Sequence, residues 1–530
     1  MPGRKKAYAA DINVAERPLG GRVKPRILIV TPEITYLPSG MGNMADRLHA
    51  KAGGLADVSA SLVAALFGLK ADVHVALPHY RRMFHIESAQ LVSEELQMYR
   101  SHLPDSRIHL AEDRCFYYRD SVYSGESENP KLALAFQREV INNIIPSVQP
   151  DLIHCNDWMT GLIPAAARRL GIPCLFTVHN IHTHDLTLAR IEDSGIDAAE
   201  FWNNLFFKRM PYNYEESRSS NLVDLQASGI FASHFINTVS PTFLREVVDG
   251  WFDFVPDSLR QEIRNKYHAG CAAGILNAPD AEDNPQVNPF ISVKYGPESF
   301  REGKRANKLA FQHKVGLEEN PDVPIFFWPS RLDPVQKGPQ LLADILYRFL
   351  DKYWKDKAQI AIVANGAYQQ PFRDILRFHE LYGRVAVCDF NQQLSQEGYA
   401  ASDFTLMPSL FEPCGLPQMV GQLYGSLPIV HNTGGLHDTV DPLCFGEDRG
   451  SGFVFDIYDS SGLFWAMDEA MNFWHQPEEV RCRNVERIMC EAAAKFNHHT
   501  CAKSYIDIYE KMLNRPLVRS FGGRETAKGE

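Results

Sequence analysis

Ten cysteines stand among 530 residues, and none forms a CxxC pair, so zinc-ribbon and dithiol-redox readings find no support. Several lie in apolar runs, as Cys174 does in CLFTV, the pattern of buried reduced thiols in a reducing compartment. No stretch approaches the roughly 20 consecutive apolar residues that a membrane span needs. An excess of positive charge is missing too. Lys and Arg number 54 against 65 Asp and Glu, a net charge of -11, which disfavours the basic face of a nucleic-acid binder. Gly and Pro, 35 and 32, are too few for a collagen-like or low-complexity chain. There is no internal repeat, heptad run or DxD-type acidic cluster, and nothing points to a particular oligomeric state. Residues 1–24 lack the apolar core of a signal peptide, and Asp11 and Glu16 do not suit a transit peptide. The expectation is a cytoplasmic protein with no membrane or nucleic-acid partner.

What is present is an alternation of short apolar runs and helical periods. Strands are expected at Arg26–Val30, Val73–Leu77, Leu152–His154, Leu175–Val178 and Phe235–Val239. A helix is expected over Asp57–Phe67, with apolar residues at Val58, Leu62, Val63 and Leu66 and a stop at Gly68. The pattern restarts near residue 324. Strands are read at Ile325–Trp328, Ile360–Val363, Val385–Cys388, Phe404–Met407, Pro428–Val430 and Phe453–Phe455, with a helix over Gln340–Phe349. Strands alternating with helices imply right-handed crossovers and parallel sheets. The fold class is therefore α/β, with two Rossmann-like doubly wound domains. Such sheets bind ligands at the carboxyl ends of their strands, so two facing domains imply a site in a deep cleft. The switch between halves is expected near residues 270–300, rich in Ala, Gly, Asn and Pro. Residues 80–125 and 185–225 give no clear pattern; the second reads as an insertion.

Four loops after strands carry residues suited to phosphate and sugar. Lys51-Ala-Gly53-Gly54 opens a helix with Asp57 in its first turn; glycines allow close backbone approach and the helix start favours an anion. Arg331 and Lys337 lie six residues apart in SRLDPVQKG, where a planar fork and a point charge can take one diphosphate. Glu412 lies in PSLFEPCGLPQ, between a strand and a helix expected to start near Gly415; its carboxylate can hold sugar hydroxyls, or merely cap the helix. Thr433-Gly434-Gly435 again joins strand to helix. His179 directly follows a strand. His182 and His184 form a same-side pair, but no third ligand is spaced for a metal.

In this order the motifs resemble those of the bacterial glycogen synthase and plant starch synthase family, retaining glucosyltransferases of the GT-B fold. The matching segments are KAGGLADV (51–58), HCNDWMTGL (154–162), TVHN (177–180), NTVSP (237–241), GILN (274–277), SRLDPVQKG (330–338), PSLFEPCGLPQ (408–418) and TGGLHDTV (433–440), spread over roughly residues 25–500. The pattern and the resemblance together divide the chain into a tail over 1–24, an N-terminal, acceptor-side domain over 25–275 and a C-terminal, donor-side domain over 276–495. A helix over 496–515 is expected to pack back on the N-terminal domain, followed by a tail over 516–530.

The resemblance implies catalytic roles for His179, Glu412, Arg331, Lys337 and Lys51. It implies substrate contacts for Gly53, Gly54, Asp57, Asp157, Asn277, Phe390, Cys414, Gly415, Leu416, Thr433, Gly434 and Gly435. Lys51 and its glycines would lie near the donor diphosphate and glucose, Arg331 and Lys337 on the diphosphate, and His179 and Asn277 beside the sugar. The chain also departs from the pattern. One extra residue separates Arg331 from Lys337, NGID becomes NAPD, Leu410 replaces an Arg, and residues 183–185 differ on the acceptor side. Phe390 stands where the family tends to have a base-stacking Tyr, 22 residues before Glu412. The implied reaction moves glucose from ADP-glucose to the non-reducing end of an α-1,4-glucan such as glycogen or a maltooligosaccharide, with retention and without cofactor or metal. Rival readings are a UDP-glucose-using glucan synthase, a nucleotide-sugar epimerase of the same fold, and a weakly active glucan-binding paralogue.

Overall fold

The structure, a computed structural model, describes residues 24–42, 45, 48–84, 107–123, 125 and 127–517. The expected tails over 1–24 and 516–530 lie almost wholly outside these residues, as does much of the unassigned stretch 80–125. The chain divides into two compact units. The first comprises residues up to Thr238, Glu246–Ile275 and the segment from Cys501 onward; the second comprises Val239–Arg245 and Leu276–Thr500.

The first unit is built on a seven-stranded, all-parallel sheet. Its strands are β1 (Arg26–Val30), β2 (Asp72–Pro78), β3 (Ile108–Ala111), β4 (Leu152–Asn156), β5 (Cys174–Val178), β8 (Phe235–Thr238) and β9 (Ala272–Gly274). They are ordered β3-β2-β1-β4-β5-β8-β9. The order reverses between β1 and β4, and loops leaving those strands diverge there to form a ligand crevice. β1, β4 and β5 are near-continuous apolar runs because helices cover both faces. The 185–225 stretch carries an antiparallel pair, β6 (Asp185–Thr187) and β7 (Leu222–Asp224), outside the main sheet.

The second unit repeats the plan. Strands β10 (Ile325–Trp328), β11 (Gln359–Val363), β12 (Val385–Cys388), β13 (Phe404–Met407), β14 (Leu427–His431) and β15 (Phe453–Phe455) form a parallel sheet ordered β12-β11-β10-β13-β14-β15. Its switch point lies between β10 and β13. A large apolar core joins this sheet to its helices, with Phe326, Phe327, Trp328 and Phe349 fully buried, and a smaller cluster gathers Met407, Val430, Leu436 and Val440.

One chain segment departs from the boundaries expected from sequence, and the C-terminal helix packs back on the first unit as expected, both for visible reasons. Val239–Arg245 belongs to the second unit because Asp438 accepts hydrogen bonds from the Ser240 hydroxyl (2.7 Å), the Thr242 amide (2.9 Å) and the Thr242 hydroxyl (2.6 Å). The helix His498–Leu513 enters the first unit through its tyrosines: Tyr509 meets His154 at 2.7 Å and Tyr505 accepts from Asn237 at 3.1 Å. Among the described residues no helix is long and apolar enough to cross a membrane, and no group of three His, Cys, Asp or Glu side chains is arranged to hold a metal ion.

Candidate active site

In the first unit the helix after β1 begins at Gly54, three residues earlier than its apolar period indicates. A helix start leaves its first N–H groups without intrahelical partners. Two donors just ahead of it are already engaged. Oε2 of Glu33 accepts from the amides of Ala52 (2.7 Å) and Gly53 (2.9 Å). Glu33 is buried, and Tyr123 donates to its other oxygen at 3.3 Å. Burial raises its pKa, opposed by the two backbone bonds. An internal carboxylate therefore fills the position in front of the Ala52 and Gly53 amides. Lys51 is engaged as well. Its ammonium is paired with Asp57 at 2.8 Å, so its charge is shared and not solitary.

Nothing in the sequence marks Glu33 for this role. It sits in TPE directly after β1, but nothing in its spacing shows that it folds back on a loop 19 and 20 residues later.

At the carboxyl ends of β4 and β5, Asp157 and His179 form one cluster. Asp157 is buried, with a left-handed φ of 56° that a non-glycine residue adopts at a cost. Its carboxylate accepts from the His179 amide (2.8 Å) and from Nδ2 of Asn180 (3.1 Å). Burial raises its pKa to about 7, with the charge of Glu33 contributing in the same direction. His179 is held neutral, because burial pushes its pKa down to about 3. Nδ2 of Asn156 donates to the Val30 carbonyl at 3.1 Å, which leaves Oδ1 facing Nε2 of His179 at 2.9 Å. This network assigns the ring proton to Nε2 and leaves Nδ1 as an acceptor suited to a hydroxyl. His182 and His184 pack with Trp158 as an aromatic cluster, ring centroids 5.1 Å apart between the two histidines and 4.4 Å between Trp158 and His184.

In the second unit the loops after β10 and β13 meet. Gly338 makes this possible. Its φ is 71°, and a Cβ there would stand 2.3 Å from the Pro408 carbonyl oxygen. With the backbones this close, Lys337 Nζ reaches Oε2 of Glu412 at 2.5 Å, and Ser409 donates to the same oxygen at 3.0 Å. Both charged side chains are largely buried. The extra residue between Arg331 and Lys337 is absorbed in a turn: the Lys337 amide donates to the Asp333 carbonyl at 2.8 Å. Arg331 is exposed, and among the described residues no hydrogen bond or ion pair occupies its guanidinium. It does not join the Lys337–Glu412 pair.

The helix expected near Gly415 starts at Pro417, because Gly415 adopts a left-handed φ of 71°. Glu412 is therefore not its cap. Instead its carbonyl accepts from the Gly435 amide at 2.9 Å, and a Cβ on Gly435 would stand 2.0 Å from the Cys414 carbonyl oxygen. This contact draws Cys414, Gly415 and Leu416 together with Thr433, Gly434 and Gly435. Asn277 is buried with Oδ1 lacking any hydrogen-bond partner, a cost that a sugar hydroxyl would remove. Phe390 follows β12 and is 53% exposed, its amide donating to Oδ1 of Asn365 at 2.9 Å. Its ring face is open for stacking.

Residues 26–260 match the family model of the starch synthase catalytic domain. A glycogen synthase of Exiguobacterium sibiricum is 32% identical over 488 residues, covering 87% of this chain and 95% of that protein. The chain belongs to the glycogen synthase family. A second glycogen synthase, from Desulforamulus reducens, is 30% identical over 499 residues, covering 87% of this chain and 96% of its own. Among solved structures, the catalytic domain of starch synthase IV from Arabidopsis thaliana, bound to ADP and acarbose, superposes with a TM-score of 0.73 at 24% identity, covering 93% of this chain and 100% of that one. Sucrose-phosphate synthase from Thermosynechococcus elongatus gives a TM-score of 0.56 at 17% identity, covering 93% of this chain and 100% of its own. The fold is GT-B, and this glycogen synthase family member is a glucosyltransferase.

Proposed function

We propose that this enzyme transfers glucose from ADP-glucose to the non-reducing end of an α-1,4-glucan, with retention at the anomeric carbon. The observation that carries the reading is the Lys337–Glu412 pair at the switch point of the second sheet, with Arg331 on the same loop and its guanidinium unoccupied. It supports a reading in which a cation for a diphosphate stands against an acceptor for sugar hydroxyls. The acid–base balance supports the same reading. His179 is neutral, so its Nδ1 receives a hydroxyl hydrogen bond and does not act as a charged group near pH 7.

The leaving diphosphate gains charge as the glycosidic bond to it breaks. Preorganised cations lower the barrier because they act on charge that develops in the transition state. Arg331 and Lys337 serve this purpose in the second unit. Each charge-assisted contact contributes about 1.5–3 kcal/mol. These cations meet the charge of the diphosphate, so the reading requires no metal or cofactor. Glu412 and Asn277 fix glucose hydroxyls, and Asp157 holds the backbone of His179 in place. Retention without a committed nucleophile on the opposite face favours attack on the same face, guided by the departing phosphate.

ADP-glucose as donor is supported by the ADP seen in the Arabidopsis starch synthase structure, and the acarbose there supports a glucan acceptor. A cytoplasmic location agrees with ten cysteines that are all free thiols. Incubation with labelled ADP-glucose, with and without glycogen and with EDTA, tests the reading. Label should enter polymer only when glycogen is present, at an undiminished rate in EDTA. Loss of transfer in EDTA that Mg²⁺ or Mn²⁺ restores would overturn metal independence; no polymer label under any condition would overturn the transferase reading.

A further inference from the structure

The second unit holds a cavity of about 340 Å³ that the reaction does not use. It lies at the amino ends of β10, β13 and β14, where Asp322, Asp403 and Leu427 line it, so it opens at the opposite edge of the sheet from Lys337 and Glu412. The helices Phe300–Val315 and Glu478–Lys495 form its walls, and Phe473 and Trp474 supply aromatic surface.

The charges lining this cavity do not balance. Five cations face three carboxylates. Arg305 pairs with Asp322, Arg301 with Glu478, and Lys308 with Asp403 at 2.6 Å. Lys304 and Arg481 are left over. The Lys304 ammonium is buried and donates only to two backbone carbonyls, Tyr424 at 3.0 Å and Tyr399 at 3.3 Å. Arg481 lies over the Trp474 ring at 4.6 Å, and its buried Nε has no hydrogen-bond partner. A buried charge without a counter-charge and an unpaired buried N–H are both costly, and both costs fall when an anion binds. The Lys304 pKa reflects this, depressed by burial to about 7 with Lys308 adding to the fall and Asp403 opposing it.

We propose that this cavity binds a small phosphate monoester with an apolar body, its dianion held by Lys304 and Arg481 and its body resting on Phe300, Phe473 and Trp474. Arg481 and a Lys304 ammonium that is protonated as the anion binds together match one dianionic group. A point-charge ammonium and a planar guanidinium together suit phosphate oxygens. The volume falls within the range of roughly 300–1,000 Å³ typical of small-molecule sites.

Phenyl phosphate titrated calorimetrically into the full-length protein is the test, repeated on Lys337→Ala to exclude the diphosphate loop. Binding should persist in Lys337→Ala and weaken at least ~10-fold in Arg481→Gln, which removes a charged donor from a part-buried position. At pH 7.5 binding should be accompanied by proton uptake, read from buffers of differing ionisation enthalpy, and the uptake should vanish in Lys304→Gln. Absence of binding at millimolar phenyl phosphate, or unchanged affinity in a folded Arg481→Gln protein, would overturn the proposal. Equal affinity for phthalate would overturn the assignment to phosphate.

Discussion

Lys337 Nζ and Glu412 Oε2 stand 2.5 Å apart, although 75 residues separate them in the chain. The pair fixes each side chain in one rotamer before any substrate arrives. That is preorganisation: a carboxylate and an ammonium are held together in advance of any ligand. Removing either partner leaves the other largely buried without its counter-charge.

Glu412→Ala should therefore lower glucosyl transfer at least ~100-fold, and Lys337→Ala by a similar factor, while both proteins stay folded. Their effects should not add, because the residues act as a unit. Steady-state kinetics of both single variants and the double variant check this. A near-normal kcat in Glu412→Ala would make the residue a structural partner of Lys337 and nothing more.

Burial brings the pKa of the Asp157 carboxyl up to about 7. Its pKa of about 7 makes kcat/KM rise with pH through about 7, the ionised carboxylate being the form that holds the His179 and Asn180 groups most strongly. In Asp157→Asn the activity should fall, and this acidic limb should disappear from the pH profile. An unchanged limb in the variant would assign it to another group.

His154 makes a separate prediction about stability. It is buried in β4, bonded to Tyr509 at 2.7 Å and Thr177 at 2.6 Å, and burial lowers its pKa to about 3. The unfolded chain takes up this proton first as pH falls through its ordinary value of about 6.5, so the native state loses stability from there downward at about 1.4 kcal/mol per pH unit. Asp157 works in the opposite direction over about pH 4–7, since its raised pKa makes the native state the better proton binder, so only a variant comparison isolates His154. The destabilisation caused by His154→Gln, measured by urea unfolding, should be smaller at pH 4.5 than at pH 7 by about 2–3 kcal/mol. Equal destabilisation at both pH values would show that His154 is not held neutral.

Much of this was readable in the sequence, for physical reasons. Strands such as Ile325–Trp328 and Phe404–Met407 are apolar runs buried on both faces, so composition marks them. β9, Ala272–Gly274, has no such run and is a strand only through pairing with β8. Lys337 and Glu412 were legible as residues, but their contact depends on Gly338 letting two loops touch. Glu33 carries no local signal, because its partners are two backbone amides and a tyrosine hydroxyl 90 residues away. Two helix starts differ from the apolar period: the first helix begins earlier, at Gly54, and the one at Pro417 begins later because Gly415 is left-handed.

Phe390 presents an open ring worth about 1–3 kcal/mol of base stacking. Stacking operates equally in ground and transition states. Phe390→Ala should raise KM for the nucleotide sugar with little change in kcat. An unchanged KM would place the base elsewhere.

The central claim is donor-specific glucosyl transfer, and competition between donors tests it most directly. With glycogen as acceptor, kcat/KM for ADP-glucose should exceed that for UDP-glucose at least ~10-fold, since unmatched polar groups at the base edge are costly. Equal use of both donors would contradict the donor assignment, and hydrolysis of both without label in the polymer would contradict the transfer itself.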